Sequence, residues 1–76
     1  MILIQLDMLF FDKNDVVVDD VYMEDGETVN SILDSAGKKI TSARLYIDNN
    51  GQRINIANFA KKGKDWTLKK PLISSS

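Results

Sequence analysis

The pair Asn50-Gly51 constrains this chain more than any other two residues. Asn followed by Gly accepts positive φ at both central positions of a type I′ turn, and a two-residue turn fixes the register of the strands on either side of it. Counting outward sets Asn49 opposite Gln52, Asp48 opposite Arg53, Ile47 opposite Ile54, Tyr46 opposite Asn55, Leu45 opposite Ile56 and Arg44 opposite Ala57. This register is self-consistent. Ile47/Ile54 and Leu45/Ile56 share an apolar face, and Asp48/Arg53 form an opposite-charge pair on the other, as cross-strand energetics favour.

The remaining elements follow from periodicity. Ile2, Ile4, Leu6, Met8 and Phe10 alternate on one side of a first strand, with Gln5 and Asp7 marking the other side together with the apolar Leu3, Leu9 and Phe11. Asp12-Lys13-Asn14-Asp15 is a turn cluster, so Val16 to Met23 returns as the second strand of a hairpin. A symmetric loop pairs Phe10 with Val17 and points Asp19 at the core, whereas a bulge at Asp19-Asp20 turns both acids outward and leaves Val17, Val21 and Met23 inside. Val29, Ile32, Leu33 and Ala36 fall at i, i+3, i+4 and i+7, one stripe of a short helix with Thr28 or Asp25 as its cap and Gly37 at its end. Lys61-Lys62-Gly63-Lys64-Asp65 is a last turn, after which Trp66 to Leu72 forms a strand with Trp66 and Leu68 inward, Thr67 and Lys69 outward, and Pro71 near its end.

The order strand, strand, helix, strand, strand, strand predicts an α+β fold. A single small domain over residues 1–73 would pack one short helix on a mixed β-sheet, with residues 74–76 as a frayed tail. A chain this short buries only about 60% of its unfolded surface, so the 43% hydrophobic content is needed for one core.

This helix between two hairpins resembles the β-grasp, or ubiquitin-like, superfold. Asp25-Gly26-Glu27-Thr28-Val29 before the helix and Gly63-Lys64-Asp65-Trp66-Thr67-Leu68-Lys69-Lys70-Pro71-Leu72 at the end are similar to RnfH-type and sulfur-carrier-like small proteins. The resemblance implies first and last strands pairing in parallel at the sheet centre. Carrier members end in Gly-Gly, whereas this chain ends in Ser-Ser-Ser, so the resemblance brings no thiocarboxylate or conjugation role.

Chemistry is limited by what is missing. With no His and no Cys, the chain lacks the side chain that titrates near neutral pH unperturbed, and it lacks thiolate nucleophiles, disulfides and soft-metal ligands. No P-loop, dinucleotide fingerprint or zinc spacing occurs, and the Asp/Asn clusters at residues 12–15 and 48–51 read as turns, without the closing Glu of a calcium loop. The expectation is a non-enzymatic protein without cofactor or metal. No basic leader precedes the first strand, and its apolar run is far short of the roughly 20 residues of a membrane span, so a cytoplasmic setting away from membranes is expected.

The net charge of −1 conceals a division. Residues 1–37 hold nine acids and one base, a net of −8; residues 38–76 hold nine bases and two acids, a net of +7. Acids before the helix and Lys38-Lys39 after it match the helix dipole, which absorbs part of the division. The rest points to surfaces. Arg44, Tyr46, Arg53, Asn55, Thr67 and Lys69 are expected on one sheet face, with Leu3, Leu9 and Phe11 extending it, as a site for a protein partner or a second copy. The function expected is that of an adaptor, regulator or inhibitor. One alternative is nucleic-acid association through the basic half. Another is an acidic surface (Asp15, Asp19, Asp20, Glu24, Asp25, Glu27) that imitates nucleic acid, as viral counter-defence inhibitors do.

Overall fold

The computed structural model describes residues 4–69. Along the chain lie β1 (Ile4–Phe11), β2 (Val17–Tyr22), α1 (Val29–Asp34), β3 (Ser42–Asn49), β4 (Gln52–Lys62) and β5 (Asp65–Lys69). The five strands form one sheet in the order β2-β1-β3-β4-β5, and every neighbouring pair is antiparallel.

This corrects the expected fold class. Strands take 58% of the described residues and the helix 9%, so the fold is mainly β rather than α+β, and the sheet is neither mixed nor β-grasp-like. β1 lies between β2 and β3, antiparallel to both, and β5 is an edge strand. The reason is local. Lys62 pairs with Asp65 across the two residues Gly63 and Lys64, with φ of +62° at Gly63, and a turn this tight leaves β5 no place except beside β4. A parallel central position would need a crossover of a dozen or more residues. The expected tail and the apolar Ile2, Leu3, Pro71 and Leu72 lie outside the described residues.

At Asn50-Gly51 both φ angles are positive, +53° and +92°, and the Gly51 N–H donates to Asp48 Oδ1 at 2.9 Å. The four pairs nearest the turn are as counted from the sequence: Asn49/Gln52, Asp48/Arg53, Ile47/Ile54 and Tyr46/Asn55. Beyond them the register shifts. Leu45 faces Ala57 and Arg44 faces Asn58, correcting the expected Leu45/Ile56 and Arg44/Ala57 pairs and leaving Ile56 in a bulge. Asn55 Nδ2 bridges the irregularity, donating to the carbonyls of Leu45 (3.1 Å) and Ala57 (3.3 Å).

The β1–β2 hairpin is closed by Asp12, whose Oδ1 accepts from the N–H groups of Asn14 and Val16, and by Asp15 with φ of +61°. Its bulge falls at Val18, not at Asp19-Asp20: Phe11 pairs with Val17 and Phe10 with Asp19. Val17 is thereby exposed instead of inside, and Asp19 stands in the row of Phe10 but reaches solvent at the sheet edge.

α1 begins in a reciprocal capping box. The Thr28 hydroxyl accepts from the Ser31 N–H at 3.1 Å, and the Ser31 hydroxyl accepts from the Thr28 N–H at 3.0 Å. The helix ends at Ser35, and Gly37 does not adopt the left-handed conformation expected of it. Its first turn holds no acid and its last turn no base, so the helix dipole accounts for little of the charge division. At six residues it cannot persist alone. It is held by Ile32 and Leu33, which join Met8, Phe10, Ile40, Ala43 and Leu45 in the core, with Val21, Met23, Ala57, Phe59 and Trp66 around them. The middle of one sheet face is therefore covered, while Ile4, Ile54 and Leu68 on the same side stay exposed. No helix among the described residues is long and apolar enough to cross a membrane.

Candidate functional site

The face of the sheet turned away from α1 has no element packed on it among the described residues. Cross-strand pairing arranges its side chains in rows. The first is Gln5–Asp48–Arg53, the second Tyr22–Asp7–Tyr46–Asn55, the third Asp20–Leu9–Arg44–Asn58–Lys69, and the fourth Val17–Phe11–Ser42–Ala60–Thr67. Strand alternation thus brings Arg44, Tyr46, Arg53, Asn55, Thr67 and Lys69 onto one face, together with Leu9 and Phe11; Leu3 lies outside the described residues.

The centre of this face is an ion-pair network. Asp7, in an interior strand, is fully buried at 0% exposure. Its Oδ2 lies 3.0 Å from Arg53 Nη2, and neither of its oxygens has a donor in hydrogen-bond geometry. The same guanidinium reaches Asp20 Oδ2 at 3.5 Å and Asp48 Oδ2 at 3.9 Å. Tyr22 completes the group, its hydroxyl accepting from Arg53 Nη2 at 3.1 Å and donating to Asp48 Oδ2 at 3.5 Å. One arginine therefore serves three carboxylates on β1, β2 and β3. Burial raises the Asp7 pKa to about 7, helped by the neighbouring Asp20 carboxyl and its charge; Arg53 opposes the rise without cancelling it. The Tyr22 hydrogen bond, followed by the Asp7 charge, raises the Arg53 pKa, so this cation persists at any physiological pH.

The apolar part of the face is smaller than the sequence suggested. Phe11 is only 7% exposed and lies beneath the Arg44 guanidinium, which sits 4.8 Å from the ring centroid. Leu9 is half-buried in the row between Asp20 and Arg44. Tyr22 and Tyr46 supply the accessible aromatic surface, Tyr22 exposed and Tyr46 partly so. Arg44, Arg53 and Lys69 are matched on this face by Asp7, Asp20 and Asp48. It is a mixed surface, not a basic one.

Of the alternative acidic residues, Asp15, Asp19, Glu24, Asp25 and Glu27 are exposed in β2 and its flanking loops, and Glu27 Oε1 accepts from the Glu24 N–H at 2.8 Å. Asp20 is drawn into the Arg53 network. On the opposite face, Lys61 Nζ stands 5.9 Å over the Trp66 ring, at a groove between the end of α1 and the β4–β5 turn. Among the described residues no group of three or more His, Cys, Asp or Glu is placed to hold a metal ion.

Sequence reasoning put Asp7 on this side of β1 and Arg53 opposite Asp48, but it did not join them and left Tyr22 unassigned. The available signal was the lone Asp in Ile4-Gln5-Leu6-Asp7-Met8-Leu9-Phe10-Phe11. An acid inside so apolar a strand requires a cation once that strand is interior. The chain matches no family model, and comparison with curated proteins and with solved structures gives no match.

Proposed function

We propose that this chain is a non-enzymatic protein-binding module, an adaptor, regulator or inhibitor, that receives its partner on the open sheet face. One observation carries the reading: Tyr22, Tyr46, Arg44 and Arg53 stand on a face that nothing covers among the described residues, with Arg53 held in place by three carboxylates. Tyr and Arg are the residues that concentrate binding energy at protein interfaces, and side chains already ordered lose less entropy on docking. Catalysis draws no comparable support, because the one carboxyl shifted toward neutrality among the described residues, that of Asp7, has no solvent-accessible surface.

The nucleic-acid reading loses force on the same face, since Arg53 is engaged by acids and Arg44 lies on Phe11. The acidic-decoy reading keeps one favourable observation, the exposure of Asp15, Asp19, Glu24, Asp25 and Glu27 together on the β2 side.

Affinity capture from cell lysate separates these readings. Wild-type bait and Ile54→Lys bait, altered on the α1 side, are expected to retain a common protein that Arg44→Glu/Tyr46→Ala bait loses. An identical partner list from all three baits refutes the proposed face. Loss of the partner on substituting Asp19 and Glu24 by Lys instead moves the site to the acidic edge.

A further inference from the structure

The charge division of the sequence becomes a spatial one in the sheet. β2 forms one edge and β5 the other. Residues 12–27, comprising β2 and its flanking loops, carry seven acids and one base, a net of −6; residues 63–69, comprising β5 and the turn before it, carry two lysines and one acid, a net of +1, and Lys61 and Lys62 at the end of β4 adjoin them. The two edges also keep apolar side chains in solvent, with Val17 52% and Val18 48% exposed on β2 and Leu68 67% exposed on β5. A strand edge presents N–H and C=O groups that a further strand can pair with, and charged edge residues decide which strand is admitted. Two acidic β2 edges repel, as do two basic β5 edges. An acidic edge against a basic one does not.

We infer that copies of this protein associate head to tail, with the β2 edge of one (Val17, Asp19) docking along the β5 edge of the next (Lys64, Leu68, Lys69). The ladder fixes the geometry. β2 and β5 are both parallel to β3, so a translated copy places its β2 beside β5 running in the same direction and keeps the covered and open faces continuous from copy to copy. Such a heterologous contact does not close on itself after one step, so the species formed are open chains rather than a dimer. The contact is weak, because a five-residue strand edge falls short of a standard interface. The open face remains free for a partner, so this inference does not depend on the proposed function.

Sedimentation velocity over a concentration series tests it. The wild type at low salt is expected to show a weight-average mass that climbs with concentration without a dimer plateau, and addition of about 0.5 M NaCl, which shortens the Debye length to a few ångströms, is expected to return it to monomer. Val17→Lys/Asp19→Lys, with two basic edges, and Lys64→Glu/Lys69→Glu, with two acidic edges, are each expected to lose association at least tenfold. An equimolar mixture of the two is expected to regain it, which also establishes that both variants fold. A wild type that stays monomeric at low salt overturns the inference. So does a Lys64→Glu/Lys69→Glu protein that associates as the wild type does, since that result assigns the contact to paired β2 edges.

Discussion

At the scale of single residues, Asp7 is the position where the fold and the open face meet. A carboxyl without accessible surface, facing a partly exposed Arg53, is a costly arrangement unless the geometry is kept, and removal of the cation alone would leave the acid buried and unpaired. The consequence is a pH dependence with a definite sign. The Asp7 pKa is raised from 3.8 to about 7 on folding, so between those values the folded chain holds a proton that the unfolded chain has released. The contribution of Asp7 to stability is therefore full below about pH 4 and is lost as pH rises to about 7, an effect on the order of a few kcal/mol. Urea unfolding at several pH values is expected to show that Asp7→Asn removes this decline. Arg53→Met is expected to extend the decline to higher pH, because Arg53 is the group that holds the pKa down. A difference between wild type and Asp7→Asn that does not change across that interval would contradict the desolvated carboxyl.

At the scale of elements, stability is unevenly distributed. α1 spans six residues and covers the core through Ile32 and Leu33, so its hold depends on packing and on the Thr28/Ser31 capping box. Thr28→Ala is expected to lower the unfolding free energy by about 1 kcal/mol, read as a shift of the urea midpoint without a change of slope. Elements are also where sequence and structure are best compared. The β3–β4 hairpin was legible for four pairs because Asn50-Gly51 admits one turn geometry and the register follows from it. It stopped being legible at Ile56, where the bulge is bridged by the Asn55 amide, a contact made by folded carbonyls that has no local signature. The helix start was visible in Thr28, but its end was placed too late, since Gly37 invites a left-handed cap that Ser35 pre-empts. The position of β1 between β2 and β3 was not legible. Pairing between β1 and β3 joins residues more than 30 apart and depends on non-local contacts that periodicity within a strand does not encode.

At the scale of the whole molecule, the sheet is asymmetric in two independent directions. Across its thickness, one face is covered over its middle by α1 and the other carries the Arg53 network; across its width, charge runs from the acidic β2 edge to the basic β5 edge. The division of charge along the chain was legible in the sequence. Its translation into opposite edges was not, because that depends on strand order. The open face was legible as a set of residues, Arg44, Tyr46, Arg53, Asn55 and Lys69, but the joining of Asp7 and Asp20 to Arg53 was not, because these acids come from strands whose neighbours were unknown. Calorimetric titration of the captured partner tests the claim that this face is the binding surface most directly. Arg44→Glu/Tyr46→Ala is expected to weaken binding by about 2 kcal/mol or more, roughly thirtyfold, while Ile54→Lys on the α1 side changes it by less than about threefold. Equal losses in both variants, or a loss confined to Ile54→Lys, would contradict the account.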